Sequence, residues 1–235
     1  MNILLIGDKP SKYLWDFYEE GRLKDIDLIL SSGDLPAEYL SFLVTFASCP
    51  LLYVRGNHDE TYGVRPPEGC ICIEDTIFEY RGLRILGLGG SMRYRDGDCQ
   101  YTEREMDWRI RKLWFSLRRK KGFDILLTHA PARGINDRED LPHRGFQSFL
   151  PLLDRYQPSY MVHGHVHMDY GYQIPRCVTY GNTTVVNSYE KYLLKIERKF
   201  SRCKMRYGRP PATGPATPIP HISFPVPHGW LLFPW

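Results

Sequence analysis

The chain has no Cys-x-x-Cys pair and no zinc-finger spacing; its six cysteines stand apart at 49, 70, 72, 99, 177 and 203. A chain of 235 residues needs no disulfide scaffold, so this cysteine usage excludes a small cross-linked module and fits a reducing compartment. No apolar run is long enough to span a bilayer. The N-terminus enters Asn2-Ile3-Leu4-Leu5-Ile6 with no basic flank and too short an apolar run for a signal peptide. A cytoplasmic protein without membrane contact is the expectation. One-sided charge is scarce as well: 31 Lys and Arg against 27 Asp and Glu leave a net +4, which favours anionic substrates only weakly and does not indicate nucleic-acid binding. The 43% apolar content suffices for one sizeable core, so one α/β domain is expected.

What the chain does have is five short polar segments, each just after a strand-like apolar run. They are Gly7-Asp8 after Ile3-Leu4-Leu5-Ile6, Gly33-Asp34 after Leu28-Ile29-Leu30, Gly56-Asn57-His58-Asp59 after Leu51-Leu52-Tyr53-Val54, Thr128-His129 after Ile125-Leu126-Leu127, and Gly164-His165-Val166-His167 after Tyr160-Met161-Val162. Singly, each has a bland reading. Gly-Asp closing a strand is ordinary turn chemistry, and a lone Thr-His is more often a strand-end histidine than a ligand. A hairpin would want Asn-Gly order, so Gly56-Asn57-His58-Asp59 is not a hairpin turn, and an H-x-H pair leaving a strand can serve two adjacent metals. Together, the segments bring carboxylates, a carboxamide and imidazoles to one sheet edge, where parallel strands bind ligands, and that donor set suits a hard-to-borderline metal. A metal-dependent hydrolase is the reading.

In this order the segments resemble the calcineurin-like metallophosphoesterase superfamily, with its D-x-H, G-D, G-N-H-D/E, H and G-H-x-H pattern, over residues 1 to about 198. The resemblance implies an α/β fold of two mixed β-sheets packed face to face and flanked by helices. It implies two divalent ions, with manganese, iron or zinc expected. Asp34 would bridge them, Asn57, His129 and His165 would complete one site, and Asp8 and His167 would hold the other. His58, ordered by Asp59, would stabilise the transition state or protonate the leaving oxygen. The chemistry suits these residue types: two ions lower the pKa of a water between them and neutralise phosphate oxygens, so that hydroxide attacks in line, and His58 supplies a cationic or proton-donating group.

The pattern departs at one ligand. Where the family has the histidine of D-x-H, this chain reads Asp8-Lys9-Pro10, and proline cannot coordinate a metal. The Asp8 and His167 position is therefore expected to rely on water or substrate, with the Lys9 ammonium a candidate to replace missing charge. The alternative to catalysis is a non-catalytic protein-binding scaffold of the same fold with a degraded metal site. Retention of Asp34 and of His58-Asp59 argues for catalysis, since a scaffold has no need of a transition-state histidine. The expected reaction is hydrolysis of a phosphomonoester or phosphodiester, nuclease action being a narrower case.

Between the segments, helices are expected at about 11 to 21, with Leu14, Phe17 and Tyr18 on one face, and at about 36 to 47, opening at Pro36. Residues 71 to 73, 76 to 80 and 83 to 88 read as an antiparallel meander. The strongest helix is expected at about 103 to 120, with a Thr102/Glu105 capping box and an apolar face of Met106, Ile110, Leu113, Trp114 and Leu117. Its opposite face carries Arg109, Arg111, Lys112, Arg118, Arg119, Lys120 and Lys121 and reads as solvated, with no aromatic residues interleaved to stack on bases. Gly89-Gly90-Ser91-Met92-Arg93-Tyr94-Arg95 follows a strand and offers Ser91 and Arg93 as substrate contacts. The polar stretch from Pro131 to Phe146 suits a substrate-selecting rim. Strands are expected near 171 to 175, 177 to 180, 183 to 187 and 190 to 197. From 199 to 235 repeated prolines preclude regular structure and define a separate, disordered tail. Oligomeric state and natural substrate stay open.

Overall fold

Alternation along the first strand decides the layering. Successive strand side chains face opposite sides, so Ile3 and Leu5 share one face of Asn2–Gly7 while Leu4 and Ile6 share the other. The computed structural model describes residues 1–169 and 175–197. In chain order its strands are β1 (Asn2–Gly7), β2 (Leu28–Ser31), β3 (Leu51–Tyr53), β4 (Ile71–Cys72), β5 (Thr76–Tyr80), β6 (Leu83–Leu88), β7 (Ser91–Met92), β8 (Gln100–Tyr101), β9 (Ile125–Thr128), β10 (Tyr160–His163), β11 (Cys177–Tyr180), β12 (Thr183–Asn187) and β13 (Glu190–Lys195). The α-helices are α1 (Ala37–Phe46), α2 (Glu103–Lys112), α3 (Trp114–Arg119) and α4 (Leu150–Tyr156).

Two mixed sheets result, in the orders β13-β1-β2-β3-β4 and β11-β12-β10-β9-β6-β5. In the first, β1 to β4 are parallel and β13 is antiparallel. In the second, β12, β10, β9 and β6 are parallel between antiparallel edges β11 and β5. Ile3, Leu5, Leu30 and Leu52 from one sheet meet Ile85, Leu127, Val162 and Val186 from the other in a common core. On the outer faces, Leu4 and Ile6 pack with Tyr39, Leu40 and Leu43 of α1, while Leu126 and Met161 pack with Met106, Leu117 and Leu153 of α2, α3 and α4. The fold is thus the expected sandwich, and it sets the carboxyl ends of β1, β2, β3, β9 and β10 along one edge.

Several local expectations change. Residues 11–25 form successive turns with no regular helix; Leu14 is buried but Phe17 is 67% exposed, so the two do not share an inward face. The stretch expected as a meander divides between the sheets: β4 pairs parallel with β3, and only β5 and β6 form an antiparallel hairpin. The helix from 103 begins on the expected capping box. It splits at Leu113, whose N–H turns to the Ile110 carbonyl three residues back. This tightened turn brings Trp114 outward, 54% exposed, away from the expected apolar face. Trp108 and Phe115 are exposed as well, with Lys112 over Trp108 and Arg119 over Phe115, so aromatic rings do interleave with the basic residues. Arg109 is not solvated: its side chain is 8% exposed, pairs with Asp75 and donates to the Gly89 carbonyl. The strand expected near 171–175 falls almost wholly outside the described residues, as does the proline-rich segment from 199.

Candidate metal centre

The strand ends deliver their polar residues through unusual backbone. Asp8, Asp34 and His165 have φ of 62°, 55° and 66°, the left-handed region that costs an ordinary residue about 1 kcal/mol or more. Hydrogen bonds hold these bends. The Asp8 N–H donates to the Gly33 carbonyl, the Asp34 N–H to Asp59 Oδ2 at 2.7 Å, and the His165 N–H to Asp8 Oδ1 at 2.7 Å. Glycine is required where the loops nearly touch. A Cβ at Gly56 would lie 2.1 Å from Asp34 Oδ1, and one at Gly164 would lie 2.6 Å from Asp8 Oδ2.

Four donor atoms converge on the far side of these bends. His129 Nε2 lies 2.9 Å from Asn57 Oδ1, 3.1 Å from His165 Nδ1 and 3.4 Å from Asp34 Oδ2. Asp34, His129 and His165 each turn one ligand-type atom into a space where all lie within 4.8 Å of one another. The outward nitrogens explain why. His129 Nδ1–H donates to the Ser32 carbonyl at 2.8 Å, and His165 Nε2–H donates to the Pro142 carbonyl at 2.5 Å. A neutral imidazole has one N–H and one lone pair, so both rings aim lone pairs inward, the tautomer arrangement of metal-ligating histidines. Lone pairs of two imidazoles, an amide oxygen and a carboxylate facing one another need a cation among them, and that donor set fits a divalent transition ion.

Charge tells the same story. Burial opposes charge on both His129 and Asp34, yet their mutual attraction prevails: His129 is raised to about 9, helped also by Asp8, while Asp34 is held below the usual carboxylate range by His129 and the His58 N–H. Without an ion, a proton on His129 serves as the cation. Burial and the positive His129 push His165 well below the ordinary imidazole value.

A second position adjoins the first. The Asp8 side chain is fully buried, and while Oδ1 accepts the His165 N–H, Oδ2 has no hydrogen-bond partner among the described residues. Burial, reinforced by the nearby Asp34, raises its pKa to about 7. His167 Nε2 stands 4.0 Å from Asp8 Oδ1. An orphaned buried carboxylate oxygen with an imidazole beside it also fits a cation. Lys9 does not supply one: its ammonium pairs with Asp169 at 2.8 Å and is half-exposed, and Asp169 also accepts from the Tyr189 hydroxyl.

The remaining sequence candidates are placed differently. The exposed His58 is tied to the cluster through its backbone N–H, which donates to Asp34 Oδ1 at 2.8 Å. Asp59 is buried and accepts the Asp34 and Gly56 amides at 2.7 Å each. Its carboxylate therefore organises backbone, and the hydrogen-bond partner of the His58 ring is instead Arg95, at 3.2 Å from Nδ1. Burial and neighbouring Asp34 raise Asp59 to about 6. Ser91 is fully buried with its hydroxyl on the Met92 carbonyl, beyond reach of a substrate. Arg93 pairs with Glu105 and the Gln100 carbonyl. The 131–146 rim does reach the site through Pro142, and its His143 ring lies 5.4 Å from that of His165. Sequence reading missed Ser32 and Pro142, which contribute only backbone oxygens and so carry no residue-type signal, and it included Tyr94 and Arg95 in a candidate contact segment without giving either a role.

Strand-end Asp, Asn and His residues on a two-sheet sandwich define a metallophosphoesterase-type protein. The chain belongs to the calcineurin-like phosphoesterase family, whose model matches residues 1–169. It is 34% identical to UPF0046 protein K07C11.7 of Caenorhabditis elegans over 190 residues, covering 70% of this chain and 62% of that protein. It is 27% identical to a UDP-2,3-diacylglucosamine hydrolase of Photorhabdus laumondii over 134 residues, covering 52% of this chain and 55% of the relative. The chain thus spans less than two thirds of the length of the curated relatives it matches. The crystal structure of TT1561 of Thermus thermophilus aligns with a TM-score of 0.51 at 17% identity, covering 80% of this chain and 89% of that one, a likeness of fold.

Proposed function

We propose that this protein hydrolyses a phosphomonoester or phosphodiester with a centre of two divalent ions. The observation that carries the reading is the inward convergence of Asp34, Asn57, His129 and His165 with both imidazoles anchored outward on carbonyls. Those four residues would hold the first ion; Asp8 and His167, sharing Asp34, would hold the second, where Pro10 replaces a further ligand. When bound, such ions acidify a water and neutralise phosphate charge. Manganese, iron and zinc all suit the mixed nitrogen and oxygen donors.

The protein's own groups then divide the remaining work. The His58 N–H keeps Asp34 in place, and the His58 ring, exposed at the mouth of the site, is available to stabilise the leaving oxygen through its ring N–H. A cleft of about 380 Å³ opens beside His58 and Asp34, lined by Pro36, Glu38, Thr61, Tyr62 and Arg65, and offers room for the organic part of an ester. The named hydrolase among the relatives is one of UDP-2,3-diacylglucosamine, a phosphate-bearing compound, which accords with a phosphate-bearing substrate and not with a particular one.

A non-catalytic scaffold is the competing reading, favoured only by Pro10. Metal analysis of the purified protein and hydrolysis of 4-nitrophenyl phosphate and bis(4-nitrophenyl) phosphate with added manganese separate the two. Metal binding with cleavage of at least one ester, both lost in Asp34→Ala, is the expected result. Absence of cleavage at every manganese concentration, with metal content unchanged in Asp34→Ala, would leave the scaffold reading.

A further inference from the structure

The two central residues of the Gly56-Asn57-His58-Asp59 loop are each gripped by one of two consecutive residues on another loop. Asn57 Nδ2 donates to the Tyr94 hydroxyl at 3.2 Å, and Arg95 Nη2 lies 3.2 Å from His58 Nδ1. The gripping loop is itself built. Gln100 is 1% exposed, and its Oε1 accepts the backbone N–H groups of both Tyr94 and Arg95, at 3.2 and 3.3 Å. The parallel pair β7 and β8 closes the loop on either side. At its tip, a Cβ on Gly97 would stand 2.6 Å from Glu60 Oε1, so the loop lies directly against the segment that follows Asp59.

The donor and acceptor chemistry is one-directional. A guanidinium has N–H donors and no acceptor, so His58 Nδ1 must accept from Arg95, and the neutral ring must carry its proton on Nε2. The Tyr94 hydroxyl can accept or donate, and the Asn57 amide is oriented by Tyr94 together with the proton that His129 Nε2 carries in the metal-free protein. Its nitrogen is engaged by Tyr94, which turns Oδ1 toward His129 Nε2 at 2.9 Å.

We propose that Tyr94 and Arg95 are a pair of positioning residues, pinned by Gln100, that set the two chemical groups of this loop: Tyr94 aims the Asn57 oxygen into the metal cluster, and Arg95 holds His58 with its proton on Nε2. The consequence for the leaving oxygen rests on the phosphoesterase reading above; the tautomer and the amide orientation do not. Neither residue touches the cluster of ligand atoms directly, and each acts through its partner.

The test uses the full chain and three measurements. In nitrogen NMR with labelled histidine, His58 signals are assigned by their loss in His58→Gln. Wild type should show one neutral tautomer, protonated on Nε2, and Arg95→Ala should relax toward the mixture of a free imidazole. In kinetics, paired phenyl and 4-nitrophenyl esters are compared, in whichever ester class the wild type cleaves. A neutral ring whose Nδ1 is taken by Arg95 can lend its Nε2–H as a hydrogen bond to the leaving oxygen without surrendering the proton. Phenolate concentrates more charge on that oxygen than 4-nitrophenolate, so Arg95→Ala should lower kcat on the phenyl ester by about 2- to 10-fold, the worth of one hydrogen bond, and less on the activated ester. KM should change little, and in a His58→Gln background Arg95→Ala should cause little further loss, because Arg95 acts only through the His58 ring. Manganese titration of Tyr94→Phe should show affinity falling by about tenfold, as for other partners of metal-ligating groups.

Equal slowing of both esters by Arg95→Ala, or an unchanged His58 spectrum, overturns the role of Arg95. Unchanged manganese affinity in Tyr94→Phe overturns that of Tyr94. Should the wild type cleave no ester, the phosphoesterase reading fails while the spectrum and the titration still decide this one.

Discussion

Asp8 sits in the molecule at a thermodynamic disadvantage, and replacing it should make the metal-free protein more stable. Its carboxyl is fully buried, with one oxygen unpartnered, and burial raises the pKa from an ordinary 3.8 to about 7. The sign follows from linkage: a group whose folded pKa is raised is favoured protonated in the fold, so its contribution is intact below pH 3.8 and is lost as pH rises through about 7. At about 1.4 kcal/mol per pKa unit, the full loss near pH 8 is about 4 kcal/mol, and near pH 5 it is under about 2 kcal/mol. Asp8→Asn keeps an oxygen to accept the His165 N–H. Its new amide nitrogen would occupy the position of unpartnered Oδ2, beneath Gly164 and Ser32, at a cost of about 1 to 3 kcal/mol if left unsatisfied. The net expectation is a gain of about 2 kcal/mol at pH 8, or roughly 4 to 8 °C in Tm for a domain of this size, and none at pH 5. Thermal unfolding of chelator-treated wild type and variant across that range measures it. Added manganese should reverse the order, since the ion engages the carboxylate that the variant lacks. A variant less stable than wild type at both pH values in chelator would refute the reasoning.

Three more expectations follow from the same geometry. His129, raised to about 9 without an ion, carries a proton at pH 7.5 that an incoming metal must displace. Calorimetric titration in buffers of different ionisation enthalpy should find about one proton released per first ion, and release of none would contradict the protonated cluster. Pro10→His should restore a ligand beside Asp8 and raise the affinity for the second ion; unchanged stoichiometry and affinity would mean that position 10 does not face it. Thr102→Ala removes the hydroxyl that accepts the Glu105 N–H and donates to the Glu105 carboxylate at the start of α2 and should lower stability by about 1 kcal/mol without altering metal content, as read by urea unfolding and metal analysis.

How much of this was legible beforehand depended on the range of the interactions involved. The apolar runs of β1, β2, β3, β9 and β10 and the polar residues ending them are adjacent in sequence, and the order of those segments matched a family pattern. The layers, both mixed sheets and the group of Asp34, Asn57, His129 and His165 could therefore be anticipated from residues alone. The pairing of residues 71–73 could not, because a two-residue strand has too little pattern to select the sheet it joins. Nor could the inward turn of Arg109, whose partners Asp75 and the Gly89 carbonyl lie 34 and 20 residues away.

The sequence by itself determined which groups reach the sheet edge, since side-chain identity and strand periodicity are local properties. Only the tertiary structure decided what state those groups are in. His129 meets Asn57 across 72 residues and Ser32 across 97. The left-handed bends at Asp8, Asp34 and His165 are held by hydrogen bonds from other loops. Ring tautomers, the orphaned Asp8 oxygen and the hold of Arg95 on His58 in place of Asp59 all arise where loops from separate strands meet. A hydrogen bond depends on distance and direction in space, and neither is written in the spacing of residues along the chain.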